Sequence, residues 1–264
     1  MGNDYPKQRF FINERAEPFL HYLREEVLGH DAVRLLERVA SKTDVYIFSG
    51  IIRNYLLGFS ENRDVDVVVK RIDNLRIDDE DLRKCRIARN AFGGYKIKID
   101  NLTIDAWGIE NTWGVLENRL NPTPNSLIKT AFFNFSSIVY HYNKRMFIYD
   151  DEVCRFLQNR TMDVVYKQNP DKTLCVLNSI YYARKYKFPL GYSLCKWIAR
   201  NYYDEMPFAE VQKRHFHKQI ISEDSVNWFT NSIAEIMKSG GMRKGQALYF
   251  DFVQKQICLI NTDE

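Results

Sequence analysis

The sequence predicts an α+β fold over residues 1–152, followed by an all-helical domain over residues 153–264. Three observations support this assignment. Apolar residues recur at helical spacing over residues 14–40, short β-branched and aromatic runs alternate with turn residues over residues 45–107, and helical periodicity dominates after residue 155. With 264 residues, 45% of them hydrophobic and 14% aromatic, the chain is long enough to bury a core in each part.

The elements of the amino-terminal half follow from local patterns. Residues 14–40 predict one or two amphipathic helices, and the apolar run from Val45 to Phe48 predicts a strand. Ser49 and Gly50 interrupt that run, and the segment after them predicts a short helix that ends at Gly58. The local order is therefore strand, glycine-containing turn and helix.

Three further segments complete the predicted α+β half. The sequence RDVDVVV, residues 63–69, predicts a strand, and we expect a helix from about Asp78 to Arg89. The segments YKIKID and LTIDAW are separated by the turn pair Asp100-Asn101, which predicts a β-hairpin.

The carboxy-terminal half shows mainly helical periodicity. A break at residues 239–241 precedes a segment for which we expect a terminal helix. The other predicted helices are Leu174–Tyr186, Tyr192–Tyr203, Phe208–Ile220 and Ser225–Lys238.

Composition and charge exclude several classes of protein. No run of about 18 uncharged apolar residues is present, and the first residues lack a secretory signal pattern, so we expect a cytoplasmic protein with no membrane partner. The five cysteines are scattered without a C-x-x-C pair, which argues against a zinc ribbon or a disulfide framework. The net charge is only +4, so any surface that binds nucleic acid must be local.

The acidic residues of the RDVDVVV strand are the strongest candidates for a catalytic site. Residues two apart in a strand point to the same face and lie about 6.6 Å apart, so Asp64 and Asp66 are expected to project side by side. Two carboxylates in that arrangement suit Mg²⁺ or Mn²⁺ ions bound to a triphosphate, whereas without cations they would repel each other. Asp105, in the second strand of the hairpin, can join them if its strand lies alongside. The alternative is an acidic strand edge without metal.

Two further features can contribute to phosphate binding. The turn at Ser49 and Gly50 opens a helix, and helix amino termini bind phosphate oxygens through their free N–H groups. Arg53, one turn into that helix, and Arg63, beside the carboxylates, either add positive charge to the phosphates or form ordinary structural pairs.

The segment SGIIRNYLLGFSENRDVDVVV, residues 49–69, resembles the signature of the poly(A) polymerase and CCA-adding nucleotidyltransferase family, GG-x-x-R-D-x-L-L-G followed by D-x-D. Three later segments, at residues 130–140, 146–151 and 171–188, resemble further motifs of that family in the same order. The sequence departs from the family at Ser49, which replaces a glycine, and at Asn54, which replaces an aspartate.

The resemblance implies a DNA-polymerase-β-like head, a mixed sheet with flanking helices, followed by a helical domain that binds the acceptor. It implies a two-metal, template-independent nucleotidyltransferase with Asp64, Asp66 and Asp105 as catalytic and metal-binding residues. Asp105 would act as a general base or as a third ligand. The nucleoside triphosphate would be bound by Ser49, Gly50, Arg53, Arg63 and Lys172.

The resemblance also bears on the acceptor and on base selection. It implies an RNA 3′ end, with tRNA the first candidate, but Lys172, Cys175 and Asn178 occupy the helix where the family reads the incoming base. We therefore expect no ordered addition of C-C-A. Nucleotidylation of a protein or a small molecule, and an RNA-binding descendant without activity, are the alternatives. The sequence leaves the oligomeric state open.

Overall fold

A computed structural model of the protein describes residues 5–62, 64–75, 85–89 and 93–262. The chain divides into two compact units. The first unit comprises residues 1–131 and 135–154, and the second comprises residues 132–134 and 155–264. In the described part of the chain, no helix is both long and apolar enough to cross a membrane.

The first unit is an α+β structure with its helices distributed around one sheet. Its helices are α1 (Pro6–Asn13), α2 (Ala16–Tyr22), α3 (Gly29–Ala40), α4 (Gly50–Leu57), α5 (Trp113–Glu117) and α6 (Pro124–Lys129), with a π-helical turn at Leu23–Leu28. Its strands are β1 (Val45–Phe48), β2 (Val65–Val69), β3 (Arg86–Arg89), β4 (Tyr95–Ile99), β5 (Leu102–Gly108), β6 (Ile138–His141) and β7 (Met146–Tyr149).

The seven strands found among the described residues of this unit form one mixed sheet in the order β3-β4-β5-β2-β1-β6-β7. Strands β2 and β5 run parallel, and the other neighbouring pairs run antiparallel. The β4–β5 hairpin turns at Asp100 and Asn101, as the sequence predicts. Strand β2 is anchored by Val65, Val67 and Val69, which are at most 1% exposed. Because side chains alternate along a strand, the two aspartates of this segment share the opposite face.

The second unit is mostly helical, and helix α7 (Asp151–Asn159) runs from the first unit into it. Its other helices are α8 (Lys172–Tyr186), α9 (Tyr192–Asn201), α10 (Phe208–Phe216) and α11 (Glu223–Lys238). These helices confirm the four that the sequence predicts between residues 174 and 238.

The expectation of an all-helical second domain is wrong after residue 245. In place of a terminal helix, β9 (Gln246–Asp251) and β10 (Gln256–Asn261) form a hairpin, and β9 also pairs with the short strand β8 (Leu190–Gly191). The apolar residues of β9 pack into the core as part of a strand. The partner strand β8 is more than 50 residues away in the sequence, so local periodicity does not reveal it.

The helix expected from Asp78 to Arg89 is also wrong at its end. Residues 76–84 lie outside the described residues, but Arg86–Arg89 form strand β3 at the edge of the sheet. Ile87 pairs with Ile97 of β4, and such cross-strand packing favours the strand over the local helical preference.

Candidate active site

Asp66 and Asp105 lie on one face of the sheet where β2 and β5 run side by side, and Asp64 comes just before β2. The register of these parallel strands places Asp66 directly beside Asp105. Neighbouring strands lie about 4.8 Å apart, so these two carboxylates stand side by side. Asp64 precedes β2 by one residue and lies two residues before Asp66, about 6.6 Å along an extended chain. We call Asp64, Asp66 and Asp105 the carboxylate row.

The carboxylate row borders an apolar cluster on the same face of the sheet. Val68, two residues beyond Asp66, belongs to that cluster, and Trp107, two residues beyond Asp105, packs against it. The indole N–H of Trp107 donates a hydrogen bond of 3.0 Å to the hydroxyl of Thr112, which fixes the ring. The row therefore sits on a rigid, packed surface, where charges interact more strongly than in open water.

Asp105 forms an ion pair across the β4–β5 hairpin. Lys96 stands directly opposite it in the register, and Lys96 Nζ lies 3.2 Å from Asp105 Oδ1. Sequence analysis missed Lys96, although the predicted hairpin contained the signal. A turn at Asp100 and Asn101 pairs residues that are equally distant from it on both sides, and Lys96 and Asp105 satisfy that condition.

The residue types of the row fit a hard divalent cation. Carboxylate oxygens are the ligands that Mg²⁺ and Mn²⁺ prefer, and the strand register brings carboxylates from β2 and β5 to one place. As the side chains stand, no three His, Cys, Asp or Glu residues among those described are grouped as a metal-binding set. Asp105 is turned toward Lys96 instead. One of the two carboxylate oxygens of Asp105 is therefore already engaged by an ammonium.

The turn before helix α4 has an unusual backbone. Ser49 has φ of 61° and ψ of −116°, a conformation that favours glycine. Its carbonyl accepts a hydrogen bond of 3.2 Å from the N–H of Arg53, so it begins the helix. A methyl group added to Gly50 would lie 3.8 Å from the Arg53 guanidinium, an ordinary contact. A glycine at position 49 would accommodate this positive φ without strain, but here Ser49 adopts it.

Arg53 is buried in the described structure and turned toward its neighbour in the chain. Its side chain is 7% exposed, and its guanidinium donates hydrogen bonds of 3.0 and 2.8 Å to the amide oxygen of Asn54. It also lies over the ring of Phe135, 5.3 Å from the centroid. Of the two roles the sequence left open for Arg53, these contacts favour the structural one.

Asn54 connects Arg53 to the chain segment that leads into the carboxylate row. While its oxygen accepts from Arg53, its amide nitrogen donates to the carbonyl of Glu61 and, at 3.2 Å, to the side chain of Asn62. Asn62 in turn donates a hydrogen bond of 2.6 Å to the hydroxyl of Tyr22. We call these side chains, Arg53, Asn54, Asn62 and Tyr22, the Asn54 network. An aspartate at position 54 could not make the two donated bonds.

The remaining predicted nucleotide-binding residues are Arg63 and Lys172. Arg63 is outside the described residues. Lys172 is in the second unit, exposed in the first turn of α8, where it lines an open cleft of about 350 Å³ together with Asp171 and Tyr203. In the same helix Cys175 is 5% exposed, and its burial raises the pKa of its thiol well above the ordinary value. A buried, neutral thiol there is poorly suited to read a base.

The tyrosines of helix α8 pack against one another. Tyr182 and Tyr186 are stacked with their centroids 5.9 Å apart, and Tyr186 stacks on Phe188 at 5.4 Å. The ammonium of Lys185 lies 5.5 and 5.2 Å from the ring centroids of Tyr181 and Tyr186. These half-buried rings already have aromatic partners, which favours a structural role for them over base stacking.

No protein-family model matches this sequence, and no curated protein matches it. Several solved structures do match. A CCA-adding enzyme in complex with CTP is 13% identical, and the similarity covers 84% of this chain and 55% of that one, with a TM-score of 0.60. The Thermotoga maritima CCA-adding enzyme complexed with tRNA is 15% identical, with 86% and 61% covered and a TM-score of 0.49. A tRNA-processing enzyme with CTP is 19% identical, with 63% and 44% covered and a TM-score of 0.48.

The similarity to the first of these structures shows that the two chains share a fold, and it gives no family assignment. It confirms the predicted mixed sheet with flanking helices, and the region that follows is mainly helical. The chain spans about half the length of the enzymes that it matches.

Proposed function

We propose that this protein is a template-independent nucleotidyltransferase that moves a nucleoside monophosphate from a nucleoside triphosphate to the 3′ end of an RNA, with tRNA as the first candidate. Residues 1–152 would form the catalytic head, and residues 153–264 would bind the acceptor. One observation carries the proposal. Asp66 and Asp105 are paired on neighbouring strands, close to Asp64, within a fold shared with a CCA-adding enzyme.

In the proposed reaction the 3′-hydroxyl oxygen attacks the α-phosphorus, the bond from that phosphorus to the bridging oxygen breaks, and pyrophosphate leaves. Asp64, Asp66 and Asp105 would hold Mg²⁺ or Mn²⁺, which when bound supplies neutralising charge at the phosphates. The hydroxyl proton passes to Asp105, if that carboxylate acts as the general base, or to solvent. The apolar cluster beside the row would limit water and keep the carboxylates in place.

Other residues would bind the triphosphate. The turn at Ser49 and Gly50 would offer backbone N–H groups at the start of α4, where the helix dipole favours negative charge. Arg63 and Lys172 would contribute positive charge. Arg53 would not contact the phosphates itself, because its guanidinium is hydrogen-bonded to Asn54.

We further propose that the enzyme does not build C-C-A in order. A switch from C to A requires a matched set of hydrogen-bonding side chains on the base-reading helix. Lys172 is exposed and Asn178 is partly exposed, but Cys175 is buried and cannot contribute a directed hydrogen bond to a base. Preference for a single nucleotide remains compatible with one lysine and one asparagine.

A non-catalytic descendant that binds RNA is the second candidate. It is favoured by one observation: Asp105 is paired with Lys96, and the described carboxylates are not grouped as a metal-binding set. A nucleotidyltransferase with a protein or small-molecule acceptor would use the same carboxylate row.

The deciding experiment supplies each labelled nucleoside triphosphate in turn, with Mg²⁺ or Mn²⁺, to the protein and total RNA. We expect label in RNA, and in tRNA first, with the wild type and none with Asp66→Asn. The matched control is Asp73→Asn, because Asp73 follows the same strand but its side chain is 78% exposed and pairs with Arg71. Label in protein or in a small molecule would identify another acceptor, and no label under any condition would favour the non-catalytic candidate.

A second experiment tests base selection. A tRNA that lacks its terminal C-C-A is supplied with CTP and ATP together, and the 3′ ends are sequenced. We expect addition of one nucleotide type. Ordered restoration of C-C-A would show that other residues read the base.

A further inference from the structure

Lys96 lies at one end of a line of three side chains that runs across three neighbouring strands. The register places Lys96 of β4 opposite Asp105 of β5, and Asp105 beside Asp66 of β2. All three side chains therefore project from the same face of the sheet. On the outer side, Ala88 of β3 stands opposite Lys96. The ammonium is thus the positive end of a row that continues into the carboxylates.

The contact between Lys96 and Asp105 is specific to one register position. Lys98 lies two residues along the same strand and projects from the same face, but it stands opposite Thr103. Both lysines are exposed. Strand β4 therefore carries two lysines on one face: Lys96 stands opposite a carboxylate of the row, and Lys98 stands opposite the hydroxyl of Thr103.

The positive charge of Lys96 reduces the repulsion between the carboxylates of the row. Adjacent carboxylates repel each other, and an ammonium at 3.2 Å offsets part of that repulsion. The side chain of Asp105 is only 23% exposed, so solvent screens this pair less than it screens a fully exposed one. The same oxygen, Oδ1, is one of the two with which Asp105 would ligate a metal.

We propose that Lys96 is a counter-cation of Asp105 in the carboxylate row, and that a divalent cation must displace its ammonium from Asp105 in order to bind. This inference rests on the proposed function in one respect, that the carboxylate row is the metal site. Lys96 is then a positioning residue, which holds Asp105 while no metal is bound. Competition by the ammonium weakens binding of the cation alone, so tight binding depends on the additional oxygens that a triphosphate brings.

The test measures binding of Mn²⁺ alone, without nucleotide, by electron paramagnetic resonance of the free ion. Removing the ammonium in Lys96→Met should lower the half-saturating Mn²⁺ concentration by roughly three- to tenfold, since it removes a competing positive charge. The matched control Lys98→Met should stay within about twofold, because its more distant charge is screened. Lys96→Arg, which keeps the charge, should bind Mn²⁺ much as the wild type does.

The outcomes separate this inference from the proposed function. Wild-type binding that is lost in Asp66→Asn but is unchanged or weaker in Lys96→Met would overturn the role of Lys96 and leave the metal site intact. The same tightening in Lys96→Met and Lys98→Met would also overturn it, because the effect would then be general. No Mn²⁺ binding in either the wild type or Lys96→Met would overturn the role of Lys96, whereas the proposed function would fall only if labelled nucleotide were not transferred either. Lys96→Gln provides a second neutral variant, should Lys96→Met not fold.

Discussion

The carboxylate row and the start of helix α4 are positioned in different ways, although both belong to the segment that resembles one family signature. Asp66 and Asp105 are aligned by backbone hydrogen bonds between two strands. The helix start depends on side chains, since Arg53 is held by Asn54 and Asn54 is held by its contacts to residues 61 and 62.

This difference explains where the sequence departs from the family pattern. At the carboxylate row the aspartates agree with the pattern, and the strand register needs no particular side chain beyond the buried valines. At the start of α4 a serine replaces a glycine and an asparagine replaces an aspartate, and the structure has a local contact for each. Asn54 makes hydrogen bonds that an aspartate could not donate. The comparison predicts that substitutions in the row affect chemistry, whereas substitutions in the network affect stability.

The largest expected effect is on catalysis. Asp66→Asn should lower the rate of nucleotide transfer by at least about 10²-fold, because the amide cannot supply negative charge to a metal ion. The protein should remain folded, since Asp66 is held by the strand backbone. Single-turnover transfer of labelled nucleotide to RNA measures the effect. Transfer by Asp66→Asn at the rate of Asp73→Asn would remove Asp66 from the site.

The second prediction concerns the Asn54 network. Asn54→Ala should lower the free energy of unfolding by about 2 kcal/mol, because it leaves the buried guanidinium of Arg53 and the partly buried carbonyl of Glu61 without this partner. Asn62→Ala removes a less buried amide, so it should lower the free energy of unfolding by about 1 kcal/mol. Urea unfolding measures both. A loss of activity in Asn54→Ala without a loss of stability would contradict the structural role of the network.

The third prediction concerns the backbone at Ser49. Ser49→Gly should raise the free energy of unfolding by about 1 kcal/mol, because relief of strain at a positive φ exceeds the entropy cost of glycine. Ser49→Ala removes the hydroxyl without relieving the strain, so it should not stabilise the protein. The two variants are compared by thermal and urea unfolding. Equal effects would show that the hydroxyl, which lies 3.5 Å from that of Ser136, matters more than the backbone.

The smallest expected effect tests repulsion within the row. In the presence of a metal chelator, Asp66→Asn should stabilise the protein by about 0.5 kcal/mol, since it removes one of two like charges on neighbouring strands. Asp73→Asn should give no such gain. The difference should shrink in high salt, because salt screens partly exposed charges. Destabilisation by Asp66→Asn would indicate that this carboxylate contributes to folding.

Much of this protein follows from its sequence. The strand at residues 65–69, the turn and helix at residues 49–58, the β4–β5 hairpin and the helices after residue 171 are all encoded by local periodicity and by turn residues. The shared face of Asp64 and Asp66 follows from strand geometry alone. The pairing of Lys96 with Asp105 also follows from the predicted hairpin.

Only the tertiary structure decided the contacts between distant segments. The parallel register of Asp66 and Asp105 joins strands 39 residues apart, and local patterns do not specify which strands become neighbours. The same is true of β8, which pairs with β9. The burial of Arg53 and its attachment to Asn54 depend on Phe135 and on the loop at residues 61–62, which fold around the helix start. Local sequence determines the elements, whereas packing selects their partners, because burial of apolar surface and satisfaction of buried polar groups depend on the whole unit.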